Sequence, residues 1–216
     1  MTPSSRPLGA EAQPLLIFPC NGNGVEALDC LGDAYRCVGF VDDTPEKQVG
    51  DTHGIPVFDR RALAERTDAA VLAVPGSPTS YRSRRDVIAG LGVPRERFAQ
   101  VIHPAARVSS LAVVGRNVLV MAGVAITSNA VIGDHVCILP NTVIHHDVVI
   151  RDWTLVGSNV TIAGNTAVGE NCYIGSGTSI MNGLHLADRV LVGLGSTVIS
   201  SVPAGARVVG NPARHI

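Results

Sequence analysis

The chain has 216 residues, of which 46% are hydrophobic, 16% charged and only 4% aromatic, with a formal net charge of −1. So much apolar composition excludes disorder over most of the length, and a charge this near zero gives no basic field to hold nucleic acid or an anionic membrane surface. No apolar run approaches the ~20 residues of a membrane span, and the run from Leu15 to Cys20 is too short for a secretory h-region, so a cytoplasmic protein is expected.

Residues 1–13 are rich in Ser, Pro, Gly and Ala and read as a disordered lead. Residues 14–101 then alternate between short apolar strands and helical stretches. Leu15-Leu16-Ile17-Phe18 is a strand, followed by the turn Pro19-Cys20-Asn21-Gly22-Asn23-Gly24 and a helix over 25–31. A second strand ends at Val38-Gly39-Phe40-Val41 before Asp42-Asp43, and a third over 69–74 runs into Pro75-Gly76-Ser77-Pro78. Helices are expected over 60–66 and 79–91. This order predicts a small parallel α/β sheet of Rossmann-like type, whose ligands collect at the carboxyl ends of its strands. The turn after the first strand is poorer in glycine than G-x-G-x-x-G, so a nicotinamide cofactor is not indicated. Cys20, Cys30, Cys37, Cys137 and Cys172 lack C-x-x-C spacing and read as reduced, mostly packed thiols, with neither a disulfide framework nor a thiolate metal site.

From residue 102 to 202 an aliphatic residue returns at every sixth position without a break, from Ile102, Val108 and Val114 through to Leu186, Val192 and Val198. A second register four places later holds small or β-branched residues, from Ala106, Ala112 and Val118 to Val190, Ser196 and Val202. Both registers are expected to point inward. Period six fits neither a helix nor simple strand alternation, but suits short strands joined by tight corners around a narrow axis, a β-solenoid. Glycines at the second place of many hexads (Gly115, Gly133, Gly157, Gly169, Gly175, Gly193) fit those corners. Three hexads per coil would stack at one strand spacing, ~4.8 Å, per coil. Residues 203–216 form a closing tail.

The hexad [Ile/Val/Leu]-Gly-x-x-[Ser/Thr/Ala/Val]-x resembles that of the hexapeptide-repeat acyltransferases, whose fold is a left-handed parallel β-helix. The tail Val208-Val209-Gly210-Asn211-Pro212-Ala213-Arg214 resembles the segment that lies near coenzyme A in that family. Within it, Cys20 to Gly24, Phe40-Val41-Asp42-Asp43 and Ile102-His103-Pro104 resemble the sialic-acid O-acetyltransferase and bacillosamine-pathway N-acetyltransferase group, the NeuD/PglD type, across residues 15–214. The resemblance implies acetyl-CoA as acyl donor, no metal, a nucleotide-linked amino sugar as acceptor and a homotrimer with sites between subunits. Carried over residue by residue, Asn21, Gly22 and Asn23 approach the phosphates or sugar, Asp42 and Asp43 the base and ribose, and Pro75 or Gly76 the nucleotide. Pro19, Cys20 and Pro75-Gly76-Ser77 depart from the family pattern, which bears on the nucleotide accepted.

Acyl transfer from a thioester to an amine needs a group that takes the amine proton and a donor for the oxyanion, and histidine suits the first task. In Asn141-Thr142-Val143-Ile144-His145-His146-Asp147, Ile144 points inward, which leaves His145 to Asp147 on the outside of a corner. The family motif places the base on His146 and the tuning carboxylate on Asp147. A second family histidine, nine places later, is Leu155 here. Acetyl-CoA contacts are therefore expected from Gly164, Ser176, Leu194, Gly195 and Arg214, with Gly164 as oxyanion donor. His135 reads as surface or groove lining, His103 as part of the interdomain link, and Lys47, the only lysine, as a member of a charged loop. No cysteine is matched to a base, so direct attack in a ternary complex is expected. O-acetylation of a sialic-acid-like sugar is the near alternative. A metal-dependent β-helix lyase lacks its ligand pair, since His135 and His146 are eleven apart, and a non-catalytic scaffold leaves the His-Asp corner unexplained.

Overall fold

A computed structural model describes residues 12–216. The expected lead lies outside the described residues except for Ala12 and Gln13, and Gln13 already opens the first strand.

The first domain is a sheet of β1 (Gln13–Phe18), β2 (Tyr35–Val41), β3 (Asp51–Thr52), β4 (Ile55–Phe58) and β5 (Ala70–Ala73) in the order β3-β4-β2-β1-β5. β4, β2, β1 and β5 run parallel, and β3 pairs antiparallel with β4 at the edge. Leu15, Leu16 and Ile17 are fully buried on both faces of the central strand, which is why β1 reads as a continuous apolar run. The hairpin β3–β4 was not anticipated from the sequence. It turns at His53 and Gly54, both at positive φ, and its second strand carries Pro56, which breaks the apolar pattern. The helices α1 (Gly22–Glu26), α2 (Arg61–Glu65) and α3 (Arg84–Ala89) are short. From β1 the chain moves out to β2 and β4, then returns to the other side of β1 for β5. The carboxyl ends of β1 and β5 therefore flank a topological switch point, where a ligand crevice forms.

The second domain is a left-handed parallel β-helix. Two-residue strands recur every six residues and pair in parallel with strands eighteen residues away, as Val143 does with Thr161. The result is a prism with three faces. Face I runs from Arg107–Val108 to Thr197–Val198, face II from Val113–Val114 to His185–Leu186, and face III from Gln100–Ile102 to Arg207–Val209. Both expected inward registers fill one core, with Ile138, Ile144, Val160, Ile174 and Val192 fully buried. Inward threonines are satisfied: the Thr142 hydroxyl donates to the Gly157 carbonyl at 2.7 Å and accepts from the Val160 N–H at 3.1 Å.

Outward residues of face III, among them Leu119, Cys137, Leu155 and Leu191, are buried because the α/β domain sits on this face. The side chain of Asn117 pairs with both backbone groups of Ala73, at 2.7 and 2.8 Å, and so completes the edge strand β5. Arg95 forms a two-pronged ion pair with Asp134 across the same junction. The tail returns over face III as Arg214–His215, antiparallel to Arg207–Val209.

Candidate active site

His146 and Asp147 stand on the edge between faces I and II, since they follow Val143–Ile144 and precede Val149–Ile150. His146 Nδ1 lies 2.7 Å from Asp147 Oδ2, and Asn129 Nδ2 donates to Asp147 Oδ1 at 3.0 Å. These two hydrogen bonds, His146 first, hold the Asp147 carboxyl below its usual range. Asp147 takes a left-handed backbone, φ 59°, which a short polar side chain tolerates. One coil further on, a Cβ on Gly164 would stand 2.6 Å from Nε2 of His146, so any side chain there would displace the imidazole from this seat. The ring is thus oriented from one side by a carboxylate and seated on bare backbone, and both side chains remain open to solvent at 54% and 43%.

At the carboxyl end of β1, Asn21 caps α1 by accepting from the Gly24 N–H at 2.9 Å. Gly22 faces open space, whereas a Cβ on Gly24 would meet the Pro19 carbonyl. Asp42 corrects its expected role. It is buried, and its oxygens already accept from the N–H groups of Cys20 and Thr44, each at 3.0 Å, and from Lys47 at 2.9 Å. Burial alone would raise its carboxyl, but Lys47 and Thr44 hold it below the usual range. Asp42 therefore fixes the turn after β1 rather than presenting a free carboxylate to base and ribose. Lys47, read as one of a charged loop, is in fact tied down by this pair and by the Cys20 carbonyl at 2.7 Å. Asp43 is paired with Arg60 at 2.5 and 2.7 Å.

Between the α/β domain and face III lies a cleft of about 220 Å³, walled by Asn23, Gly76 and Ser77 on one side and Leu139, Leu155 and Tyr173 on the other. Of the residues expected to hold the acceptor, Asn23 and Gly76 line it. Gly76 is at φ 123°, and a Cβ there would come within 2.8 Å of Leu155. The Pro75 carbonyl is held from behind by Arg84. A larger hollow, about 480 Å³, opens at the opposite, amino-terminal ends of the strands beside Gly54 and Arg66, and holds none of the expected residues.

Ser176, Leu194 and Gly195 fall on the edge between faces III and I, next to the cleft. Ser176 Oγ accepts from the Ser158 N–H at 3.0 Å, and Leu194 is 70% exposed. Arg214 is exposed on the tail strand. Gly164 lies instead on the edge of His146. Within one chain, then, the imidazole edge and the cleft edge are different corners of the prism. Burial, first among the causes, pushes the thiols of Cys137 and Cys172 up to about 11 and that of Cys30 to about 12, which leaves them protonated at neutral pH. Among the described residues no group of three or more His, Cys, Asp or Glu gathers to hold a metal, and no helix is long and apolar enough to cross a membrane.

His135 corrects a second expectation. Its ring stacks on Trp153 (5.8 Å between centroids, 6° between planes), meets Phe98 edge-on at 5.0 Å and bonds Asn117 at 3.0 Å. It belongs to the domain junction, not to the surface. His103 bonds the Ala105 N–H at 2.9 Å within the first corner. A signal for the junction was present in the sequence: every sixth residue from 117 to 195 is at positive φ. All of these are Asn, Gly or Asp except His135, Trp153 and Arg189, and each of the three meets the α/β domain: His135 against Phe98, Trp153 under Arg85, and the Arg189 carbonyl accepting from the Tyr81 hydroxyl.

A family profile described as bacterial transferase hexapeptide (six repeats) matches residues 111–146 and 129–164. No curated protein matches the chain significantly. Among solved structures, a perosamine N-acetyltransferase from Caulobacter crescentus, in complex with CoA and GDP-perosamine, is 25% identical with a TM-score of 0.82 over 96% of this chain and 98% of that one. The acetyltransferase domain of PglB from Neisseria gonorrhoeae, in complex with acetyl coenzyme A, is 25% identical with a TM-score of 0.82 over 95% and 100%. WeeI from Acinetobacter baumannii, 24% identical over 94% and 99% with a TM-score of 0.82, shares the fold.

Proposed function

We propose that this hexapeptide-repeat protein transfers an acetyl group from acetyl-CoA to the amino group of a nucleotide-linked amino-deoxy sugar. The observation that carries the reading is the His146–Asp147 pair, 2.7 Å apart and seated on Gly164, in a chain of which 96% is matched by a perosamine N-acetyltransferase in complex with CoA and GDP-perosamine.

The chemistry follows from the pair. The sugar amine attacks the thioester carbonyl, and His146 Nε2 accepts its proton as the carbon–nitrogen bond forms. Asp147 keeps Nδ1 protonated, so that Nε2 is the basic nitrogen, and stabilises the imidazolium that results. The Gly164 N–H is the donor assigned to the oxyanion. Collapse of the tetrahedral intermediate expels the CoA thiolate, which takes the proton back from His146. The cleft holds the nucleotide sugar against Asn23 and Gly76, with Asn21, Gly22, Asp43 and Pro75 bordering the turns on which it rests. Ser176, Leu194, Gly195 and Arg214 lie along the pantetheine and phosphate path. Since the imidazole and the cleft occupy different edges, the site is completed by a second copy of the chain, which supports a closed homotrimer.

Thiol release from acetyl-CoA, followed by mass spectrometry, tests the reading against a panel of UDP-, dTDP- and GDP-linked 4-amino sugars. A product heavier by one acetyl group, lost in His146→Ala, is the expected outcome. Binding of acetyl-CoA with acetylation of a hydroxyl sugar instead would favour O-acetyl transfer, and absence of acetyl-CoA binding would remove the acyltransferase reading.

A further inference from the structure

Arg84 opens α3 and is only 1% exposed, the largest fully buried side chain in the molecule's described part. A buried cation ordinarily has a carboxylate beside it, yet none of the ion pairs among the described residues includes Arg84. Its guanidinium donates instead to two carbonyls of different domains: that of Pro75, where the chain leaves β5, and that of His135, at 2.6 Å, on the β-helix. Its Nε has no partner. Burial lowers its pKa from 12.5 to about 10, so it remains charged at neutral pH.

Each carbonyl belongs to a segment that lines the cleft: Pro75 directly precedes Gly76, and His135 stands two residues before Cys137. Pro75 leads into Gly76, whose missing side chain lets the loop lie against Leu155 on the floor and against Arg84 Cδ behind. Beyond it, Ser80 and Tyr81 donate back to the Ser77 carbonyl at 3.2 and 2.9 Å, a turn whose anchor is Pro75. A link between two neutral carbonyls needs no net charge, since a neutral amide would serve. A cation left without a counterion in a low-dielectric wall, by contrast, attracts an anion on the other side of that wall.

We propose that Arg84 is a positioning residue for the acceptor: it clamps the Pro75–Gly76 wall at a fixed distance from the β-helix floor and supplies, through that wall, the positive charge that favours the diphosphate of a nucleotide-linked sugar. The second half of this statement rests on the acetyltransferase reading, while the first does not. Lysine keeps the charge but has no planar fork to bridge two carbonyls.

The test uses full-length protein with Arg84→Met and Arg84→Lys, well below the unfolding temperature of each. In the unliganded protein, hydrogen exchange of the Ser80 and Tyr81 amides should quicken about tenfold in Arg84→Met, while amides of the β-helix core stay protected. With the nucleotide sugar that the wild type acetylates, KM for that sugar should rise about tenfold in Arg84→Met, and less in Arg84→Lys, with kcat and KM for acetyl-CoA within about twofold. Faster exchange spread over both domains, or a fall in kcat with unchanged KM, would reduce Arg84 to a packing element and overturn the proposal. Wild-type protein that acetylates no nucleotide sugar, while the local exchange contrast holds, would leave the clamp standing and remove the acetyltransferase reading instead.

Discussion

Asp147 and Gly164 act on the same imidazole by different means, and substitutions separate them. Asp147→Asn keeps the left-handed backbone and an oxygen acceptor but loses the charge that fixes the tautomer. A fall in kcat of about tenfold to a hundredfold is expected, against about a hundredfold or more for His146→Ala, with thermal unfolding unchanged in both. Steady-state kinetics beside calorimetry checks this, and wild-type kcat in Asp147→Asn would deny the carboxylate any part. Gly164→Ala puts a methyl where it would stand 2.6 Å from His146 Nε2, so the ring must shift and kcat should fall while KM for the nucleotide sugar holds. The motif Ile144-His145-His146-Asp147 was legible in sequence because hexad phase alone points Ile144 inward and leaves His145 to Asp147 outside. The destiny of Asp42 was not. It depends on Lys47 and on the Cys20 N–H, partners that folding brings from 5 and 22 residues away.

Among the elements, the β-helix strands were readable as far as their phase, since the period repeats without a gap and each inward residue is a local consequence of it. The threonines of the second register show how strictly the corner is satisfied. Thr154 donates to the Gly169 carbonyl at 2.9 Å and accepts from the Cys172 N–H at 3.1 Å, both outside the strand ladder. Thr154→Val keeps the shape but orphans two buried backbone groups, a cost of about 1–3 kcal/mol. Urea unfolding measures this, and an unchanged midpoint would mean that the corner relaxes to pair them. In the α/β domain the same kind of reading found β1, β2 and β5 and missed β3–β4. Four residues including a proline carry too little periodic signal, and β4 forms because Phe40 and Val41 offer it an edge.

For the whole molecule, the junction between domains has its own pH dependence. Burial first, then Arg84 and Arg95, draws His135 from 6.5 to about 4, opposed only by Asp134. Its unfolded counterpart takes up protons first on acidification. Stability from the neutral ring is therefore fully present above about pH 6.5 and is lost as pH falls toward 4. Allowing for partial exposure, the loss is on the order of 2 kcal/mol. Urea midpoints at pH 7 and pH 5 should draw together in His135→Asn, which suits the left-handed corner, and an equal pH loss in both proteins would clear His135. Subunit mixing addresses the site itself. His146→Ala and Gly76→Ala damage different edges, so co-expressed chains should recover about a quarter of wild-type turnover through mixed trimers. No recovery beyond either variant alone would mean that one chain holds both halves. The sequence by itself determined the repeat, its inward registers, the α/β alternation and the exposed His-Asp corner, because each follows from residues within a few positions of one another. Tertiary structure alone decided that Asp42 is a brace, that His135 and Trp153 join the domains, that Arg84 is buried behind the cleft, and that imidazole and cleft stand on separate edges. Those outcomes depend on which face of the prism the first domain covers, a matter of surfaces meeting over 40 to 90 residues of chain that no local pattern encodes.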